Sequence, residues 1–273
     1  MDGLQTTARQ ALACLDLTSL VDGQDQQGGE ADIEQLCLKA IGPAWRHGAT
    51  AAVCVWPRQA ALARSLLPPA IRVAAVANFP DGSSDTVRAV RDTAQIAGAG
   101  AQEVDVVIPY RDLAAAPALL AAVRRECTGL TLKVILETGE MDDEARILQA
   151  ARIALDAGAD FLKTSTGKRP VAATPAAARL LLAAIATDPK ASGRVGFKPA
   201  GGIRTVADAA LYIELTAGLL GAAAITPARF RIGASGLLAD IEAVLSGAGR
   251  PVSGKLYGTP SGMPSGGLSG TPY

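Results

Sequence analysis

At 273 residues the chain has room for one large domain or two small ones, and 49% hydrophobic residues supply a substantial core. Its 26 Lys and Arg balance 26 Asp and Glu, so the formal charge of zero gives no electrostatic support to a nucleic-acid or anionic-membrane partner. No uninterrupted apolar run reaches the roughly 18 residues of a transmembrane helix, and a single histidine, His47, leaves little room for a multi-histidine zinc site or a Ser-His-Asp triad.

From the start of the chain, MDGLQTTARQ lacks the basic-then-apolar order of a secretion signal. Cys14, Cys37, Cys54 and Cys127 are scattered without CxxC spacing, which leads us to expect reduced, mostly buried thiols in a cytoplasmic protein. Strand-like runs follow near 12–18, 51–56, 72–79, 102–108, 131–138, 160–166, 194–199 and 229–234. Helical patterns alternate with them over 32–41, 58–67, 85–97, 113–127, 142–157, 175–186, 206–219 and 236–245. Asp81-Gly-Ser-Ser precedes the third helix, Thr174-Pro175 opens the sixth and Thr205 caps the seventh; Gly42, Gly98, Gly158 and Gly247 close others. His47, in WRHGAT, reads as the end of a helix rather than a catalyst, and 22–30 as a polar loop.

Strand and helix alternate at about one unit per 30 residues, which argues for a parallel sheet covered by helices. Eight such units predict an α/β fold, a single (β/α)8 TIM barrel over 1–246, in preference to an open doubly wound sheet. Residues 247–273 are rich in Gly, Ser and Pro and read as a flexible C-terminal tail.

Charge then falls where a barrel interior should be branched and apolar. In the fourth strand Val104, Val106 and Ile108 share one face and Glu103 and Asp105 the other; in the fifth, Leu132, Val134 and Leu136 oppose Lys133 and Glu137. In the seventh strand Val195 and Phe197 oppose Lys198. The apolar face must meet the helices, so Glu103, Asp105, Lys133, Glu137, Lys163 and Lys198 are expected inside the barrel. There they are costly unless paired, and chemistry is the reason to keep them.

Two stretches share a layout: FLKTSTGKRP (161–170) and RVGFKPAGGIR (194–204) each carry a lysine near a strand end, then glycine and a cation. Barrel active sites lie at the C-terminal strand ends, so Asp16, Asp105, Lys163 and Lys198 can converge on one cavity. A lysine amine is nucleophilic only when neutral, and a second ammonium in a desolvated pocket lowers its pKa from roughly 10.4. One of Lys163 and Lys198 would attack while the other tunes it; Asp105 would relay protons or serve as a structural ion pair. Gly167-Lys168, Gly201-Gly202 and Gly233-Ala-Ser235-Gly236, the last opening a helix, are a candidate phosphate cradle.

These residues resemble the 2-deoxyribose-5-phosphate aldolases, a class I, Schiff-base-forming family. The resemblance runs from LDLTSL (15–20) through AAVCVWP, ANFPDG, EVDVVIPY, FLKTSTGK and GFKPAGGIRT to RIGASGLL. It implies a barrel that interconverts 2-deoxy-D-ribose 5-phosphate with D-glyceraldehyde 3-phosphate and acetaldehyde, with no metal or organic cofactor. Lys163 would then be the Schiff-base lysine, Lys198 the ammonium that tunes it and Asp105 the proton-relay acid. Asp16, Thr18, Cys54 and Phe79 would support or line the substrate end. Thr166, Gly167, Lys168, Gly201, Gly202, Arg204, Ser235 and Gly236 would hold substrate and phosphate, and the terminal Tyr273 would complete the site. Two departures stand out: Asp81 in NFPDG where many relatives carry histidine, and a longer, more glycine-rich tail. The partners implied are a sugar phosphate and aldehydes, with no nucleic acid or membrane, and a homodimer is allowed. A pyridoxal-phosphate barrel and a non-catalytic sugar-phosphate-binding barrel are the alternatives.

Overall fold

Eight parallel strands organise the computed structural model, which describes residues 3–21, 29–42, 47–141 and 143–247. They are β1 (Leu15–Thr18), β2 (Ala52–Val55), β3 (Arg72–Ala77), β4 (Glu103–Val107), β5 (Thr131–Ile135), β6 (Phe161–Lys163), β7 (Gly196–Lys198) and β8 (Ile232–Ala234). The hydrogen-bonded order β7-β6-β5-β4-β3-β2-β1-β8 places each strand beside its sequence neighbour and pairs the first with the last. Single bridges from Phe197 to Phe230 and from Ala200 to Gly233 join the two ends, so the sheet closes as the expected (β/α)8 barrel.

The helices are α1 (Gly3–Ala13), α2 (Gly29–Ile41), α3 (Ala60–Leu66), α4 (Thr86–Gly98), α5 (Ala116–Glu126), α6 (Glu144–Asp156), α7 (Pro175–Thr187), α8 (Val206–Leu220) and α9 (Leu237–Ser246). The strand expected from residue 12 begins at Leu15, because α1 occupies 3–13; its buried Ala8, Ala11 and Leu12 form one helical stripe, and α1 packs on α8 and α9. Asp85 caps α4 by accepting from Arg88 N at 3.0 Å, whereas Asp81, expected near that cap, pairs with the Arg88 guanidinium at 2.8 Å. Gly98 is the last residue of α4 rather than its terminator; the left-handed residue beyond it is Gly100, at φ +75°. Thr174 caps α7 with Pro175 behind it, and Thr205 and Asp208 cap α8 reciprocally.

The helix-facing side chains Val104, Val106, Leu132, Val134, Val195 and Phe197 are fully buried. All four cysteines are buried and free. His47 lies past the end of α2 on the way to β2. Gly247 ends α9 in the left-handed conformation. The tail expected beyond it, Tyr273 included, lies outside the described residues, as do 22–28 of the expected polar loop. Among the described residues no helix is long and apolar enough to cross a membrane.

Candidate active site

The pleat that turns aliphatic side chains towards the helices turns seven charged ones into the barrel. Asp105 of β4 stands at the centre: Oδ1 accepts from Lys133 Nζ at 2.8 Å, and Oδ2 from Lys163 Nζ and Lys198 Nζ, each at 2.7 Å. Lys163 and Lys198 are direct neighbours in the β6–β7 register. Lys198 also reaches Asp16 Oδ2 at 2.5 Å, and Lys133 reaches Glu103 Oε2 at 2.5 Å. Arg231, just before β8, donates to Asp16 Oδ1 at 2.6 Å and to both Glu103 oxygens at 2.7 and 3.1 Å.

Arg231 escaped the sequence reading, although its alternation with Phe230 and Ile232 marks it as inward-facing. Glu137 corrects that reading. It is buried, but it is left-handed (φ +55°) and turns its carboxylate to the Thr166 hydroxyl (2.5 Å) and amide (3.2 Å), away from the lysines.

Burial and neighbours set the charge states. Burial lowers the pKa of Lys163, Lys198 pushes it further down, and Asp105 opposes both without reversing the shift. Burial also disfavours the Lys198 ammonium, yet Asp105 and Asp16 carry its pKa well above the ordinary value. Desolvation resists ionisation of Asp105, but Lys133, Lys163 and Lys198 together hold it well below the carboxylate range. The Cys54 thiol, 3.9 Å from Asp105 Oδ2, is pushed up by burial and by that carboxylate. Two adjacent lysines thus differ in direction, Lys163 lowered and Lys198 raised.

Above this layer opens a cavity of about 950 Å³, lined by the turns that follow β1, β6, β7 and β8. Lys163 reaches it, while Lys198, Asp105, Asp16 and Cys54 lie fully buried beneath. Thr18, Thr166, Gly167, Lys168, Gly201, Gly202, Arg204, Ser235 and Gly236 all line it. Gly201 (φ +86°) lies so near the β6 turn that a Cβ there would meet Ala172 Cβ at 2.6 Å and Gly167 Cα at 3.0 Å. Among the described residues the amides of Gly167, Gly202 and Ile203 meet no protein acceptor, whereas that of Lys168 is taken by Thr166 Oγ1 at 3.0 Å. With the first amides of α9 beside Ser235, this rim suits an anion.

Phe79 stands apart from the cavity lining and packs edge-on against Trp56. The cavity also extends to Asp32, Gln35 and Lys39 of α2, which no sequence motif indicated. Among the described residues no group of three or more His, Cys, Asp or Glu is arranged to hold a metal ion.

Residues 11–240 match the model of the DeoC/LacD family aldolases. The deoxyribose-phosphate aldolase of Agrobacterium fabrum (strain C58 / ATCC 33970) is 46% identical over 244 residues, covering 86% of this chain and 90% of the relative. Among solved structures, the apo form of a proposed deoxyribose-phosphate aldolase from Toxoplasma gondii ME49 superposes with a TM-score of 0.78 at 25% identity, over 89% of this chain and 97% of that one. A tetrameric deoxyribose phosphate aldolase from Aeropyrum pernix, at 22% identity and TM-score 0.68 over 88% of this chain and 96% of its own, shares the fold.

Proposed function

The chain belongs to the DeoC/LacD aldolase family, and from that premise we propose that it reversibly cleaves 2-deoxy-D-ribose 5-phosphate to D-glyceraldehyde 3-phosphate and acetaldehyde through an imine on Lys163. The observation that carries this reading is the placing of Lys163: it borders the cavity and is bridged by Asp105 to the buried Lys198.

The neutral amine of Lys163 adds to the C1 aldehyde of the open-chain sugar, and the carbinolamine takes up a proton and loses water to give an iminium. The C3 hydroxyl then gives up its proton as the C2–C3 bond breaks, and the bonding electrons pass into the iminium. D-glyceraldehyde 3-phosphate leaves, and an enamine remains on Lys163. Its terminal carbon takes a proton, and water hydrolyses the imine to acetaldehyde and free amine, replacing the water lost at the start. The Lys198 ammonium favours oxygen-centred negative charge in the carbinolamine steps. Asp105, held far from protonation, orients both amines and is only a transient seat for a proton in transit. The phosphate sits on the amides of the β6 and β7 turns and the N-terminus of α9.

Borohydride reduction with acetaldehyde is expected to add one ethyl group, at Lys163; a label found at Lys198 alone, or no label, overturns the reading. Ser235→Glu places a carboxylate at the opening of α9, where the phosphate should lie. It is expected to raise KM for deoxyribose 5-phosphate by about 10²-fold, from like-charge repulsion and a lost anion seat, and to leave KM for unphosphorylated deoxyribose nearly unchanged. Equal losses on both substrates would remove the phosphate from this turn.

A further inference from the structure

The barrel holds more charge than a nucleophile and one neighbouring ammonium require. Glu103, Lys133 and Arg231 lie beneath the cavity and line none of it. They are nonetheless tied to Lys163 by unbroken ion pairs: Arg231 to Glu103, Glu103 to Lys133, Lys133 to Asp105 and Asp105 to Lys163.

Each carboxylate of the cluster is held by at least two cations, and Lys133, Lys198 and Arg231 each touch at least two carboxylates. Lys163 touches one, and shares that oxygen with Lys198. With all groups ionised, four cations (Lys133, Lys163, Lys198, Arg231) face three carboxylates (Asp16, Glu103, Asp105), a surplus of one positive charge. Loss of a single proton cancels it. A guanidinium cannot supply that proton, and Lys133 and Lys198 are held by more than one carboxylate, so Lys163 gives it up at least cost.

We propose that Glu103, Lys133 and Arg231 are positioning residues that set the reactivity of Lys163 through the summed charge of this closed ion network. The proposal rests on the reading of Lys163 as the imine-forming lysine. Among the described residues, the remaining groups that face the network leave the count intact. Cys54 of β2 and Cys14, just before β1, are thiols whose pKa is raised by burial, Cys14 to about 12, so both stay neutral. Arg72 of β3 approaches Glu103 at 3.6 Å, but its side chain is half in solvent and correspondingly screened. The other residues of β2 and β3 are apolar.

The test is the pH at which Lys163 becomes reactive, read as the initial rate of acetaldehyde and cyanoborohydride labelling located by peptide mapping. Arg231→Gln removes the surplus charge and should move the midpoint up by about one pH unit, the effect of one unit charge across a few buried ion pairs. Glu103→Gln enlarges the surplus and should move it down by about as much. The double variant restores the sum and should return the midpoint to the wild-type value, and Arg231→Lys should leave it there. A midpoint that ignores these changes while the label stays on Lys163 overturns the inference and leaves the imine reading standing, as does a double variant that fails to return. A wild-type label on another residue overturns the imine reading itself. Should Arg231→Gln fail to fold, the near-isosteric Glu103→Gln decides alone, and absence of a downward shift overturns the proposal.

Discussion

Lys163→Arg is expected to abolish aldol cleavage, with a loss of about 10⁴-fold or more, the scale on which a missing covalent nucleophile is felt. A guanidinium keeps the positive charge that Asp105 receives at 2.7 Å but stays protonated, so no lone pair reaches a carbonyl. The fold should tolerate the change, because Lys163 borders the cavity and the larger head group can extend into it. Formation of glyceraldehyde 3-phosphate in a coupled assay, with the melting temperature as control, is the measurement. Activity within tenfold of wild type would remove Lys163 from the nucleophile's role.

Lys198→Leu should be damaging too, to a smaller extent and for a different reason. It removes the cation nearest to Lys163 and leaves Asp105 free to hold Lys163 as an ammonium, so the pKa of Lys163 rises. The neutral amine predominates only above that pKa. Activity should therefore fall by about 10²-fold at neutral pH, and its alkaline rise should move one to two units higher, each unit costing about tenfold in neutral amine at fixed pH. The variant should also melt earlier, because Asp16 and Asp105 both lose a buried partner. A profile of unchanged shape with only KM raised would make Lys198 a substrate contact. Arg231→Gln should displace the labelling midpoint in the same direction without touching either amine.

The sequence was most legible where strands were long enough for their alternation to show. Between 103 and 107, and again between 131 and 135, every second residue is aliphatic, and the charged remainder can only face inward, as Glu103, Asp105 and Lys133 do. Arg231 was harder to see because it lies one residue before β8, which spans only three residues, so its alternation with Phe230 and Ile232 is a short signal. Glu137 misled because alternation was carried past Ile135, where the ladder ends and a left-handed backbone resets the side-chain direction. The same happens at Phe79: Asn78, at φ +53°, swings the chain out of β3 and sends the ring to Trp56. Helix α1 carries few apolar residues in GLQTTARQALA, and its stripe gains meaning only from α8 and α9, which arrive two hundred residues later.

That same long reach governs how the chain fares during synthesis. Arg231 bonds to Asp16 across 215 positions, and at about 5–20 residues per second the ribosome needs about ten to forty seconds to deliver the second after the first. Until then β1 is an unpaired edge and the incomplete sheet shows its concave side to water. A barrel lined with valine and isoleucine would offer other nascent chains an adhesive surface for that whole interval. This one presents Asp16 on the waiting edge and Glu103, Asp105 and Lys133 on the strands behind it, the kind of inward charge that deters strand-to-strand association. The charges that later pair in the ion network thus count against association of the unfinished sheet before any network has formed.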